Sequence, residues 1–412
     1  MTGRLRVLIV ASQCDRSEIG ESHCGYEWIS RIAKVCDVTL LTLHLPGRVA
    51  PSLQLPGVRV IEWNALGWVD GWRRLNGTLK PFYVPFYFRA RSWIKNARKK
   101  GEHFDLIHHL TPMAFRFPTP CAGLGYPYII GPVAGGLPTP EEFKAELKTE
   151  PLFARLRETD NFRLRYDPFL RRTYKCAEAV ICSGEYVSEA LSHLNLKRVE
   201  YDTEVGIDSL AISEKRPSVG RGKLRLLFVG RVIRTKGVRD AVRAMAKLKD
   251  LPEVVLKIAG DGEDLQDCRK EAEALGVTDQ VQFLGRVPKD EVDELYADAD
   301  VFLFPSFREP TGIVLFEAMR HGLPVITTSI GGPGHIVDNS CGIRLSPSEP
   351  AIFADELASS IRTLATDAER LSALAKGALE RVQEIGLWDR KIERLVKLYN
   401  GVSVVKNETQ MR

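Results

Sequence analysis

The sequence is expected to fold as two α/β domains, each a parallel sheet covered on both faces by helices. Three observations predict this. The chain has 412 residues, 44% of them apolar, and a single core stops growing near ~250–300 residues. Short apolar, β-branched runs alternate with helical patterns along most of the length, the signature of strands buried on both faces. That alternation breaks off at 206–223, "GIDSLAISEKRPSVGRGK", and then restarts. A segment mixing Gly, Pro, Ser and charge without period reads as a linker. The expected division is a first domain over 1–205 and a second over 206–386. A closing helix from 387 onward is expected to cross back to the first.

Taken in order, Leu5–Val10 is the first strand candidate, and Trp28, Ile29, Ile32 and Ala33 then fall at helical spacing. Val38–Thr42, Leu106–His108, Tyr128–Ile130 and Ala179–Cys182 continue the strands. Beyond the linker come strand Leu224–Val229, helix Val238–Leu248, strand Val254–Ala259 and helix Leu265–Leu275. Val281–Leu284, Val301–Phe304 and Pro324–Thr327 complete the set, and Leu387–Tyr399 forms the last helix, with Trp388, Ile392, Leu395 and Val396 on one face. Two such halves are Rossmann-like. Their ligands are expected beyond the carboxyl ends of the strands, in a cleft between the domains.

The bulk numbers exclude several classes. Net charge is +5, too mild to suggest nucleic acid, but it is unevenly spread. Residues 1–205 carry 28 Lys+Arg against 22 Asp+Glu, a net +6, while the rest carries −1. The first half therefore has reason to meet something anionic, such as a lipid surface or a charged glycan. Eight scattered cysteines form no C-x-x-C pair; buried, reduced thiols of a cytoplasmic protein are expected, and no zinc site. The amino-terminal apolar run is short for a signal peptide. No stretch approaches the ~20 apolar residues needed to span a bilayer, so the chain is expected to be soluble or peripheral.

Two motifs carry chemistry. In "LLFVGRVIRTKG" (226–237), Arg231 and Lys236 follow a strand and precede a helix, a setting that suits a diphosphate. Gly230 and Gly237 allow close backbone approach; two solvated cations in a turn are the alternative. In "PSFREPTGIVLFEAMRHGLPVI" (305–326), Glu309 follows a buried strand and Glu317 lies eight residues on, within a helix starting near Thr311 or Gly312. Carboxylates accept hydrogen bonds from the vicinal hydroxyls of ribose and hexose, and the amides of Gly312 and Ile313 suit phosphate. Glu317 sits between Phe316 and Ala318, so its carboxylate needs a partner.

These motifs, with "VGID" (205–208), "IAGDGEDL" (258–265), "FLGRVP" (283–288) and "ADADVFLFPS" (297–306), closely resemble the donor domain of glycosyltransferase family 4. These are retaining enzymes of GT-B fold. The resemblance covers 206–330, and the spacing of Glu309 and Glu317 is the family's hallmark. It implies that Arg231 and Lys236 bind a donor diphosphate, that Glu309 contacts sugar hydroxyls and that Glu317 contacts the ribose. Gly262 lies in a matching loop. Thr311 stands where the family usually has an aromatic residue, which leaves the donor sugar open.

The first domain resembles the family more loosely. Where the family shows a Gly-Gly pair, this chain has Gly20 followed by Glu21; Gly20 still allows backbone approach to the reacting sugar. "FDLIHHLTP" (104–112) resembles the segment that places a histidine in the cleft, so His108 or His109 is the catalytic candidate, with His109 preferred. A packed strand-end histidine is the alternative for each. The glycines of "GPVAGGLP" (131–138) are expected to form a cleft loop. Asp298-Ala299-Asp300 spells D-x-D, the metal motif of another glycosyltransferase fold, but capping and solvation are the preferred reading. The resemblance implies neither a metal nor a cofactor, because basic residues and helix amides stabilise the leaving diphosphate. Residues 80–100, preceded by Trp63, Trp68 and Trp72, mix aromatic with basic side chains, which suits either a membrane interface or an ordinary amphipathic helix.

The expected function is therefore retaining transfer of a hexosyl group from a nucleotide sugar to a glycan or lipid-linked acceptor. The setting is surface polysaccharide or glycolipid synthesis, in the cytoplasm and at the inner face of an anionic membrane. The alternatives are a sugar-nucleotide epimerase or glycosyl phosphorylase of the same fold, or a non-catalytic nucleotide-sugar-binding subunit. The retention of Arg231, Lys236, Glu309 and Glu317 together argues against the last.

Overall fold

The computed structural model describes residues 4–65, 80–147, 159–211 and 224–410. Trp68, Trp72 and 212–223 of the linker lie outside them. Two compact units emerge. The first comprises Met1–Gly136, Glu150–Glu204 and Ile392–Arg412, the second Leu137–Thr149 and Val205–Lys391.

The first unit holds a parallel sheet of seven strands: β1 (Arg6–Ala11), β2 (Asp37–His44), β3 (Arg59–Asn64), β4 (Leu106–Thr111), β5 (Tyr128–Val133), β6 (Ala179–Cys182) and β7 (Val199–Tyr201), in the order β3-β2-β1-β4-β5-β6-β7. The second unit's six strands are β8 (Leu224–Val229), β9 (Val254–Ala259), β10 (Val281–Gly285), β11 (Val301–Phe304), β12 (Val325–Thr328) and β13 (Gly342–Leu345), ordered β10-β9-β8-β11-β12-β13. The apolar composition of the central strands follows from burial on both faces. Val7–Ala11 of β1 and every residue of β4, β5 and β11 are buried. Structures related to both sheets fix the GT-B fold, as described below.

The helices used below are α1 (Glu21–Val35), α2 (Tyr83–Lys99), α3 (Val238–Ala246), α4 (Leu265–Leu275), α5 (Lys289–Asp298), α6 (Ile313–Arg320) and α7 (Trp388–Gln410). In the first sheet the strand order reverses beside β1, which pairs with β2 on one side and β4 on the other. In the second it reverses beside β8, which pairs with β9 and β11. Such reversals open a crevice at the carboxyl ends of the strands. In the first unit Gly20 follows β1, and His108 and His109 lie on β4. In the second, Gly230–Lys236 follows β8 and Pro305–Gly312 follows β11.

One correction concerns the division of the chain. Residues 137–149, read as part of a first domain over 1–205, belong to the second unit. Phe143 causes this: it is fully buried, its ring 4.2 Å from that of Phe307 and 5.9 Å from that of Phe353. The described part of the linker is also ordered. The Ile207 amide donates to Gly386 O at 3.0 Å, and the Trp388 amide donates to Ile207 O at 3.0 Å. α7 starts in the second unit and enters the first from Ile392.

Candidate active site

In the second unit, β8 ends at Gly230, and a short 3-10 turn over Arg234–Lys236 leads into α3. Arg231 is exposed, whereas Lys236 is buried. Gly237 caps α3 with φ 75°, and a Cβ there would lie 2.1 Å from Pro305 O, so this position requires glycine on both counts. A Cβ on Gly262 would lie 2.3 Å from Val232 O, so the loop after β9 is pressed onto the loop after β8. The Lys236 ammonium lies 5.6 Å from the centre of the Phe304 ring and pairs with a carboxylate oxygen of Glu309. The two motifs recognised separately in sequence are thus joined through one ion pair.

Glu309 is held from several sides. Its Oε1 accepts from the Thr311 amide at 3.3 Å, and its carbonyl accepts from the Gly332 amide at 2.8 Å. A Cβ on Gly331 would lie 2.4 Å from that carbonyl, and one on Gly332 would lie 2.3 Å from Thr311 O. The Gly-Gly after β12 therefore shapes the loop that carries the carboxylate, a role the sequence reading missed although "SIGGPG" directly follows the strand. α6 opens at Ile313 behind Gly312, which has φ 88° and receives no side-chain cap. Its first amides face away from intrahelical partners, as at any helix start. One turn on, Glu317 accepts from the Tyr296 hydroxyl at 3.2 Å. Burial pushes the Glu317 carboxyl above its usual pKa, and the tyrosine opposes that shift.

Residues 137–146 brace the same loops. Arg308 Nη1 donates to Thr139 Oγ1 at 3.2 Å. The Arg234 guanidinium sits 5.3 Å and 5.1 Å from the Phe143 and Phe307 ring centres and pairs with Asp240 at 2.6 Å and Glu146 at 2.9 Å. Planar guanidinium stacks on aromatic rings while its edges pair with carboxylates. Arg234 thereby ties the turn carrying Lys236 to the loop carrying Glu309.

The D-x-D residues have a different role from capping. Arg225 pairs with Asp300 at 2.7 Å and Asp298 at 2.8 Å, and Lys257 reaches Asp298 at 3.1 Å. Asp300 is buried rather than solvated. Among the described residues no group of three or more His, Cys, Asp or Glu could hold a metal ion.

In the first unit, His108 is fully buried with both nitrogens in use. Nε2 lies 2.6 Å from Gly131 O, and Nδ1 lies 2.6 Å from the Tyr399 hydroxyl. A carbonyl can only accept, so Nε2 carries the proton and Nδ1 accepts from the tyrosine. His108 therefore joins β4 to β5 and α7. His109 is as deeply buried, but neither nitrogen has a partner of hydrogen-bonding geometry among the described residues. Its ring stacks on Tyr83 at 6.4 Å. Burial depresses both imidazoles, His108 to about 4 and His109 to about 3, the second further lowered by its neighbour. Both are neutral near pH 7. Gly20 caps α1 with φ 70°, and a Cβ there would meet nothing within 4 Å, so open space fronts this glycine. Glu21, in place of a second glycine, accepts from the Met113 amide at 3.3 Å and pairs with the buried Lys80.

The basic-aromatic run forms an amphipathic helix. Tyr83, Phe86, Ala90, Ile94 and Ala97 of α2 pack inward, and Arg91 and Arg98 donate to the carbonyls of Pro120, Ala122 and Leu124. Val84, Phe88, Arg89, Lys95, Lys99 and Lys100 stay exposed. No helix among the described residues is long and apolar enough to cross a membrane.

Comparison with known proteins bears on both units. The family described as glycosyl transferases group 1 matches residues 212–381. An uncharacterized glycosyltransferase of Methanocaldococcus jannaschii is 36% identical over 176 residues, 42% of this chain and 44% of that protein. A D-inositol 3-phosphate glycosyltransferase of Corynebacterium urealyticum is 31% identical over 190 residues, again 44% of each. The chain thus matches less than half the length of these curated relatives. Solved structures match across the whole length: Anabaena HepE in complex with UDP has a TM-score of 0.64 at 17% identity, covering 96% of this chain and 100% of that one. Sucrose-phosphate synthase from Thermosynechococcus elongatus has a TM-score of 0.63 at 19% identity, covering 98% and 100%. At such identity the likeness establishes the fold.

Proposed function

We propose that this chain, whose residues 212–381 match the family described as glycosyl transferases group 1, transfers a glycosyl group from a nucleotide-diphosphate sugar to an acceptor hydroxyl with retention at the anomeric carbon. The observation that carries this reading is the pairing of Lys236 with Glu309 across the ends of β8 and β11, beside the uncapped start of α6. At a strand-order reversal, a cation and unspent helix amides suit the diphosphate of such a donor, and a carboxylate suits its sugar hydroxyls.

In the proposed reaction Arg231, Lys236 and the amides of Gly312 and Ile313 hold the diphosphate. Without donor, Glu309 neutralises the buried Lys236; the diphosphate gives that ammonium a second anion and leaves Glu309 free to accept from sugar hydroxyls. Glu317 accepts from the ribose. The bond from C1 to the phosphate oxygen breaks with its electron pair leaving on the diphosphate, where the cations and amides stabilise the charge. The acceptor oxygen bonds to C1 on the same face, and its proton passes to the leaving phosphate. In the first unit, Gly20 lets the backbone approach, and the neutral His109 imidazole, buried in the structure without donor, accepts or donates to a sugar hydroxyl only once its nitrogens are uncovered. No step requires a metal. The net +6 of residues 1–205 favours a lipid-linked or anionic glycan acceptor, as in surface polysaccharide or glycolipid synthesis.

A thermal-shift screen against UDP-, GDP- and ADP-sugars tests this, since a ligand bound only by the folded state raises its stability. One nucleotide class should raise the melting temperature, and glycosyl transfer from it should survive EDTA. No shift with any nucleotide sugar would refute the donor assignment. Loss of transfer in EDTA, restored by manganese, would refute the metal-free reading.

A further inference from the structure

We propose that Tyr296 is a positioning residue for donor binding: its hydroxyl orients the Glu317 carboxylate and keeps it an acceptor for the ribose. The inference rests on the donor reading given above. Tyr296 is the one fully buried residue of α5, 1% exposed, while Val292 and Leu295 pack beside it half-buried. Its ring is clamped, 5.7 Å from Phe302 and 5.7 Å from the imidazole of His321, nearly parallel to the latter at 23°. For packing alone a phenylalanine would serve equally, whereas a hydroxyl buried this deeply costs free energy unless it is hydrogen-bonded. Its single proton has two acceptors in range, Glu317 Oε2 at 3.2 Å and Val314 O at 3.5 Å. The nearer one is charged, and bonds to charged acceptors are the stronger.

Glu317 needs this help. Burial raises its pKa, and among the opposing influences the Tyr296 hydrogen bond comes first, ahead of Lys289 on α5 and Arg320 on α6. Asp293 on α5 pushes the other way, and Arg320 is already engaged with it at 3.0 Å. His321, 3.6 Å from Asp293, has its own pKa lowered by burial. Lys391 of α7 sits over the adjacent Phe316 ring at 5.8 Å. Removing the hydroxyl therefore raises the pKa of Glu317 further. At a given pH less of it is ionised, and a protonated carboxyl is a poorer acceptor for a ribose hydroxyl. The sign is fixed: the loss is greatest at low pH and fades as pH rises.

The test is calorimetry of whichever of UDP, GDP and ADP binds best, on the full chain and on Tyr296→Phe. It runs from about pH 5.5 to about pH 8.5, above the ordinary glutamate pKa. The ratio of the two affinities cancels the ionisation of the phosphate itself. The variant should bind several-fold more weakly at the low end, with a loss that narrows as pH rises. In Glu317→Gln, adding Tyr296→Phe should leave the affinity unchanged at every pH. Equal affinity across the range would overturn the proposal, and so would a uniform loss, which marks a packing role. If Glu317→Gln itself binds like the wild type, the assignment of Glu317 to the ribose falls, and this inference with it. If Glu317→Gln is weakened and Tyr296→Phe is not, only the positioning role falls.

Discussion

At the ends of β8 and β11 the second unit spends charge and cross-links it. Lys236 pairs with Glu309, Arg234 is caged by Phe143, Phe307, Asp240 and Glu146, and Glu317 is held by Tyr296. At the ends of β1 and β4 the first unit holds a buried neutral imidazole without hydrogen-bond partner among the described residues and a glycine fronted by open space. Both are strand-order reversals in parallel sheets, yet they are built from different materials. The difference fits the proposed division of labour. A diphosphate is a fixed anion of fixed shape, which rewards preorganised charge. A sugar hydroxyl is neutral and is met by single hydrogen bonds.

The largest effects should separate the two sites. Glu309→Ala should lower turnover roughly a hundred-fold or more, the scale for losing an interaction made with the reacting group, while the bare nucleoside diphosphate still binds. His109→Ala removes one neutral hydrogen bond, on the order of tenfold. Steady-state turnover and calorimetry on both variants check this. Equal losses of nucleotide affinity in both would merge the two sites into one.

A second expectation concerns acid. His108 and His109 titrate at about 4 and about 3 in the folded chain, against ~6.5 unfolded. Their folded values are depressed, so the unfolded chain binds more protons as pH falls below ~6.5. The neutral-pH stability should be complete above ~6.5 and be lost progressively toward pH 4, by up to about 1.4 kcal/mol per pH unit per histidine. Denaturant unfolding at pH 7 and pH 5 measures this. His108→Gln should flatten the slope; an unchanged slope would mean that the buried imidazoles are not its source.

The smallest effect belongs to the exposed face of α2. Each Lys or Arg near an anionic leaflet contributes about 1 kcal/mol, and the capture of Arg91 and Arg98 by carbonyls leaves Arg89, Lys95, Lys99 and Lys100 to act. Sedimentation with anionic vesicles should show weak binding that fades as salt shortens the Debye length from ~10 Å toward ~3 Å. Equal binding to neutral vesicles would remove charge as its cause.

What could be read from the sequence follows the same divide. β8, α4 and β11 begin and end where the apolar period does, because each is bounded by Gly, Asp or a charged loop. The proposed donor residues stand out in the sequence because diphosphate and ribose chemistry demand cations and carboxylates at set spacings. Their supports were not. Glu146 meets Arg234 88 residues away, and Arg225 meets Asp300 75 residues away, so no local pattern announces either pair. Nothing in the sequence singles out Tyr296, since periodicity reports its ring and not its hydroxyl. Gly331 and Gly332 were passed over because their constraint is contact with the Glu309 loop. Between His108 and His109 the sequence offered only adjacency; the alternating faces of a strand gave one residue to Gly131 and Tyr399 and the other to Tyr83.

The central claim is that the second unit's strand-order reversal binds a nucleoside diphosphate through Arg231 and Lys236. Calorimetry of UDP, GDP and ADP against the wild type, Arg231→Ala and Lys236→Ala addresses it most directly. The account predicts that one diphosphate binds the wild type and that each variant loses ~1.5–3 kcal/mol, roughly ten- to hundred-fold in Kd, the range for charge-assisted hydrogen bonds. Unchanged affinity in both variants would contradict it.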